Sequence, residues 1–201
     1  MNYIAHRRNT IAELMDTPMK YGVEVDIRSL GNNLIIHHDP FHSGELFEDW
    51  INHYQHKTLI LNVKEEGLEE RLIEIMLSKG IKDYFFLDQS FPFLVRWSKM
   101  GENRCAARVS EFESLETALS LSGKIKWVWV DCFTHFPISY KEFGQLKKAG
   151  FKICIVSPEL QGRDARTEIK DMQRLLLSNN IVVDAVCTKR PELWEELEAH
   201  I

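Results

Sequence analysis

The stretch Trp127-Val128-Trp129-Val130-Asp131 decides the fold. Four aromatic or β-branched residues follow one another without a polar break, and an acid closes the run. A strand with one wet face alternates apolar and polar, so an unbroken apolar run belongs to a strand covered on both faces. Phe85-Phe86-Leu87-Asp88 repeats the pattern, again ending in aspartate. Outward from these, β-rich runs lie at 2–5, 22–27, 58–63, 83–88, 105–109, 127–131, 151–156 and 182–187, eight in all and one βα unit apart.

The intervening segments carry helix signals. Residues 68–78 place Leu68, Leu72, Ile75 and Met76 on one face, and 45–55 do the same with Leu46, Trp50, Ile51 and Tyr54. Thr10/Glu13, Ser110/Glu113 and Ser139/Glu142 have capping-box spacing. Gly80 and Gly150 sit where helices should stop, and Pro191 suits the first turn of a last helix. The excursion 28–57 should hold an extra extended piece at 33–37 and a short helix. Eight alternations predict an α/β fold, a single compact (β/α)8 TIM barrel over residues 1–201, with no linker or second domain.

Composition narrows the function. A net charge of −5 gives no basic footprint for nucleic acid. No stretch approaches the roughly 18 apolar residues of a membrane span. The N-terminus does not read as a signal peptide, because its basic pair follows the apolar residues. Cys105, Cys132, Cys154 and Cys187 lack metal-type spacing and lie in or beside apolar runs, so free buried thiols in a cytoplasmic protein are expected. Oligomeric state is not legible.

Each apolar run ends in residues that a plain core would not choose. These are His6-Arg7, Glu24 and Asp26, Asn62 and Lys64, Asp88, Arg108 and Ser110, Asp131, Ser157 and Glu159, then Thr188 and Lys189. In a (β/α)8 barrel the C-terminal strand ends converge on one face, which gathers these groups around one pocket. Glu24 and Asp26, two apart on a strand, share a face. Paired carboxylates repel unless cationic groups or a metal intervene, and hard oxygen ligands suit Mg²⁺ or Ca²⁺. The alternative is an exposed edge with two solvated acids, against which stand Val23, Val25 and Ile27. His6, His37 and His38 can exchange protons near neutral pH, or serve as structural donors. Arg7 and Lys64 suit phosphate, or pair with the carboxylates just named.

His6-Arg7 after a first strand, Glu24-x-Asp26 on a second and His38-Asp39-Pro40 beyond resemble the core motif of glycerophosphodiester phosphodiesterases, within the wider superfamily that includes phosphatidylinositol-specific phospholipase C-like enzymes. Leu61-Asn62-Val63-Lys64 is similar to that family's E-x-K strand, and Thr188-Lys189-Arg190-Pro191 to its T-D-x-P ending. Phe86-Leu87-Asp88, Arg108-x-Ser110-Glu111 and Ser157-Pro158-Glu159-Leu160 resemble a short bacterial branch.

The resemblance implies a metal-dependent phosphoric diester hydrolase, in lipid metabolism, acting on a small polar phosphodiester. It makes His6 and His38 the acid–base pair, with Glu24, Asp26 and Asn62 around a divalent cation. Arg7 and Lys64 would contact phosphate, and Arg108, Asp88, Asp131 and Glu159 would complete the substrate site. Arg8 replaces the usual glycine, Asn62 stands where a third glutamate is expected, and the insertion after His38-Asp39 is cut to about 20 residues, 40–57. Two alternatives remain: a catalytically silent phospho-ligand-binding barrel, and a metal-dependent lyase or aldolase on the same fold.

Overall fold

The structure, a computed structural model, describes residues 1–198. Ten strands occur among them: β1 (Asn2–Ala5), β2 (Gly22–Leu30), β3 (Asn33–Ile36), β4 (Glu45–Leu46), β5 (Leu59–Val63), β6 (Tyr84–Leu87), β7 (Ala106–Val109), β8 (Trp127–Val130), β9 (Lys152–Val156) and β10 (Ala185–Thr188). The helices are α1 (Ile11–Asp16), α2 (Phe47–Trp50), α3 (Glu69–Ser78), α4 (Phe91–Lys99), α5 (Leu115–Leu119), α6 (Tyr140–Lys148), α7 (Ala165–Ser178) and α8 (Pro191–Glu198).

Eight strands pair in parallel around a ring, β1-β2-β5-β6-β7-β8-β9-β10, and β10 returns to β1. This is the expected (β/α)8 barrel. The closures are unequal. Five register pairs join β2 to β5, whereas a single bridge, Phe86 to Cys105, joins the β6 and β7 segments. β3 and β4 form an antiparallel extension of β2 outside the ring.

Alternation along each strand makes two cores. Val23, Val25, Ile27, Val128, Val130, Ile153 and Ile155 pack outward against the helices. Ile4, Ile60, Phe85, Trp127, Trp129 and Cys187 fill the barrel, with Phe85 stacked on Trp127 at 4.4 Å between ring centroids. All four cysteines are free and buried.

The structure corrects three details. Residues 45–55 are not one helix: β4 takes Glu45–Leu46, α2 is four residues, and a 3-10 turn covers Ile51–His53. The apolar period there came from Phe47, Trp50 and Ile51 anchoring a short connection, while Leu46 stays exposed. Thr10/Glu13 and Ser139/Glu142 form capping boxes, but Ser110/Glu113 closes a turn and α5 is capped by Ser114. The last barrel strand starts at Ala185, and Val182, which extended the apolar run, is 76% exposed.

Candidate active site

The strand-end residues gather as the barrel geometry requires. His6, Arg7, Glu24, His38, Asn62, Lys64, Asp88, Arg108 and Asp131 line one cavity of ≈300 Å³ at the C-terminal mouth. Its rim adds Phe133, Leu160 and Gln161.

Glu24 and Asp26 point into the barrel and are fully buried. The chain turns sharply after His6, where Arg7 adopts φ +52°. That left-handed residue aims its own N–H at Glu24 Oε2 (2.7 Å). Asn62 Nδ2 donates to Glu24 Oε1 (2.8 Å) from the adjacent strand, where Asp26 is its register partner. Burial pushes the Glu24 carboxyl above the usual carboxylate range, and the charge of Asp26 adds to this. Asn9 is paired twice with Asp26: its Nδ2 donates to Oδ2 (2.8 Å) and its Oδ1 accepts from the Asp26 N–H (3.0 Å).

A chain of alternating charge crosses the mouth. Arg7 Nε stands 3.5 Å from Asp26 Oδ2, and Lys64 Nζ lies 3.2 Å from Asp26 Oδ1 and 3.1 Å from Asp88 Oδ2. Arg108 donates from Nε (3.0 Å) and Nη2 (2.7 Å) to Asp88 Oδ1, and from Nη1 to Asp131 Oδ2 (2.7 Å). Gln161 completes the row on Asp131 Oδ1 (2.6 Å). Burial works to raise the Asp88 carboxyl, but Arg108 and Lys64 more than reverse it and hold it below the usual range. Asp88 also sits at φ +60°. A left-handed non-glycine residue costs of order 1–3 kcal/mol, so Arg7 and Asp88 place two strained positions in the mouth.

His6 stands 3.8 Å from Glu24 Oε2, and its buried Nδ1 has no hydrogen-bond partner. Burial, then the neighbouring Arg7 charge, lowers its pKa to about 3, so the ring is neutral at physiological pH. His38 pairs through Nδ1 with Asp39 Oδ1 (2.7 Å), which leaves Nε2 for proton transfer. Arg28 anchors this turn by donating Nη2 (2.9 Å) and Nε (3.1 Å) to the His38 carbonyl. His37 lies outside the cavity lining: it stacks on His42 at 4.7 Å, and its Nδ1 accepts from the Asp39 N–H.

Glu159 does not line the cavity, contrary to its expected role in binding substrate. Its carboxylate accepts from Thr188 Oγ1 (2.5 Å), the Lys189 N–H (2.9 Å) and Ser157 Oγ, clamping β9 to β10 beneath the mouth. Asn9, Arg28 and Gln161 were missed. Asn9 follows His6-Arg7 closely, but its pairing with Asp26 is set by the turn at Arg7 and not by any spacing.

The oxygens that could hold a hard divalent cation are those of Glu24, Asp26 and Asn62. Asn62 Oδ1 is buried without a hydrogen bond, and Asp26 Oδ1 is held only by the Lys64 ion pair. Among the described residues no three His, Cys, Asp or Glu side chains cluster as ligands, and Asn62 is the amide that stands beside the two carboxylates. The acids Asp26, Asp88 and Asp131 are paired with Arg7, Lys64 and Arg108 across the mouth.

No protein-family model matches the chain, and no curated protein matches it. Among solved structures, it is similar over 99% of its length to 99% of the glycerophosphodiester phosphodiesterase from Agrobacterium tumefaciens str. C58, with TM-score 0.69 and 14% identity. That likeness is one of fold. A Pseudomonas aeruginosa protein described as an aldo-keto reductase aligns at TM-score 0.42 and 11% identity, over 100% of this chain and 75% of its own, too distant to carry weight. Among the described residues no helix is long and apolar enough to cross a membrane.

Proposed function

We propose that the chain is a metal-dependent phosphoric diester hydrolase acting on a small polar phosphodiester. The observation that carries the reading is the sharing of one cavity by His6 and His38, with Arg7, Lys64 and Arg108 on its walls. An imidazole whose ring nitrogen lacks a partner is free to meet the substrate, and one held by a carboxylate is oriented for proton transfer.

In this reading the phosphate settles against Arg7 and Lys64, whose charges offset those of its oxygens. His6 takes the proton of the attacking hydroxyl, which belongs to the substrate's own alcohol. The bond from phosphorus to the second ester oxygen breaks, and His38 protonates that oxygen as the second alcohol leaves. The cyclic phosphate so formed is then opened by water, with the two histidines in exchanged roles. Glu24, Asp26 and Asn62 are the residues that would hold Mg²⁺ or Ca²⁺, which would supply Lewis-acid neutralisation of phosphate charge. A panel of glycerophosphodiesters, assayed with Mg²⁺, Ca²⁺ or Mn²⁺ and with a chelator control, tests the reading: cation-dependent release of alcohol is the expected result.

One observation favours a silent phosphate-binding barrel instead. Both Glu24 oxygens are already satisfied, by the Arg7 N–H and by Asn62. Binding of a glycerophosphodiester without turnover under every cation would select that reading.

A further inference from the structure

The weakest seam of the barrel coincides with a wide cleft. Between β6 and β7 only Phe86 and Cys105 form a bridge, low in the barrel, supported by the Phe86 N–H on the Arg104 carbonyl (2.8 Å). Above that point a cavity of ≈510 Å³ opens. Ala106 faces the barrel interior and Ala107 the helix layer, yet both line it. The cleft therefore follows the edge of β7 left unpaired above the bridge, where two consecutive alanines leave it unfilled.

The cleft borders the catalytic cavity: Asp88 and Arg108 line both, and their ion pair is the wall between the two. Its outer end is aromatic. Phe91, at the start of α4, is 50% exposed, and Phe112, in the turn before α5, is 81% exposed. Leu94 forms the wall between them and the barrel. Apolar and aromatic side chains around a concave site are the usual lining of a small-molecule pocket. Gln89, also in the lining, is held by its Nε2, which donates to Glu69 Oε1 (2.9 Å).

We propose that this cleft is the subsite for the leaving alcohol of the diester, and that the alcohol it takes carries an aromatic body. The proposal rests on the phosphodiesterase reading above and adds the substrate class. With the phosphate at the Arg7–Lys64 side of the mouth, the second ester oxygen points past Arg108 into the seam. A flat ring then passes over Ala106 and Ala107 and lies against Phe91 and Phe112, gaining the offset or edge contacts that aromatic pairs prefer.

The test uses two glycerol phosphodiesters, one with 2-naphthyl and one with methyl as the second ester, and free 2-naphthol as a phosphate-free probe. Thr117, exposed on α5, borders the cleft, and Thr117→Trp would fill its outer half. Phe112→Ser removes one lip without touching the core. Wild type should bind 2-naphthol, read by its fluorescence anisotropy, and should prefer the naphthyl diester. Both variants should weaken naphthol binding about tenfold or more, and should lower by a similar factor the ratio of kcat/KM for the naphthyl diester over the methyl one. No naphthol binding by wild type, or affinity and ratio unchanged in both variants, would overturn the proposal. If neither diester is turned over while naphthol binding still responds to both variants, the phosphodiesterase reading fails and the cleft stands as an aromatic-alcohol site.

Discussion

Two neighbouring imidazoles, His37 and His38, have the same chemistry and different places. Only His38 lines the cavity, and Asp39 and Arg28 hold it there. His6→Ala and His38→Ala should each lower kcat by roughly 10² or more, the scale for a positioned acid or base. His37→Ala should keep most activity, since its ring is spent on His42 and the Asp39 N–H. Steady-state kinetics on the three variants decides this, and an inactive His37→Ala would move the proton-transfer role to the other ring. Asn62 carries a second prediction. Its Oδ1, buried without a hydrogen bond, would be an uncharged ligand, and Glu24 with Asp26 would only just balance M²⁺. Asn62→Glu adds a third carboxylate beside Glu24, so calorimetry should show tighter Mg²⁺ or Ca²⁺ binding and weaker affinity for an anionic diester. Equal metal affinity in both proteins would reduce Asn62 to a donor for Glu24.

At the scale of the element, two loops hold the mouth, and each makes a prediction. Gly44 lies just before β4, and a Cβ built there would stand 2.0 Å from the Ile36 carbonyl oxygen. Ile36 ends β3 and leads directly into His37-His38. Gly44→Ala must therefore displace backbone on one side or the other, costing of order 1–3 kcal/mol and lowering kcat through His38. Denaturant midpoints and kcat measured together test it, and a variant unchanged in both would show that the hairpin yields freely. Glu111 holds the loop after β8. Its Oε1 accepts from the N–H groups of Thr134 (2.7 Å) and His135 (3.0 Å) and from Thr134 Oγ1. Burial alone would raise its pKa, but these bonds outweigh it and hold the carboxyl at about 2. Unfolded, the same carboxyl titrates near 4.5. The unfolded chain thus binds more protons between those values, and stability falls as pH drops from about 4.5 towards 2. Glu111→Gln should be less stable at neutral pH and should flatten that part of the acid limb. An acid limb identical to wild type would mean the carboxylate contributes nothing there.

Elements of this kind also show what the sequence could and could not reveal. Barrel strands were legible because Trp127–Val130 or Phe85–Leu87 can only be covered on both faces. Glu24 and Asp26 were legible as a pair because the strand period of two is rigid. Residues 45–55 misled because Phe47, Trp50 and Ile51 are buried anchors whose spacing matches a helix, while the chain around them is strand, short helix and turn. The clamp at Glu159 was hidden for a related reason. A strand-end acid looks the same whether it faces the cavity or, as here, accepts from Thr188 and the Lys189 N–H. Arg28 and Asn9 act through tight local turns that no periodicity encodes.

Across the whole molecule the ring is unevenly closed, and no single strand's sequence could have announced it. Pairing between neighbours depends on how far each strand runs before it splays. β2 and β5 share five register pairs, and Asp26 and Asn62 are one of them, so the residues suited to the cation ride on the best-stitched part of the wall. β6 and β7 share one bridge, and Asp88 and Arg108 leave from the ends of these poorly joined strands. The carboxylate–amide side of the site thus rides on a backbone ladder, while the side that would receive the alcohol is joined above the bridge by the Arg108–Asp88 ion pair. Hydrogen exchange reads such differences as local opening free energies below the global value. In native-state exchange, amides of β2 and β5 buried in their shared ladder should open only with global unfolding. Amides of β6 and β7 on the sides facing each other should exchange through a smaller opening, faster by about tenfold or more, since each 1.4 kcal/mol of lost protection is a factor of ten. Thr117→Trp, by filling the cleft without joining the strands, should leave that difference in place. Equal protection on the two sides would mean that the seam is closed by packing as firmly as by hydrogen bonds, and the barrel would then open as one unit.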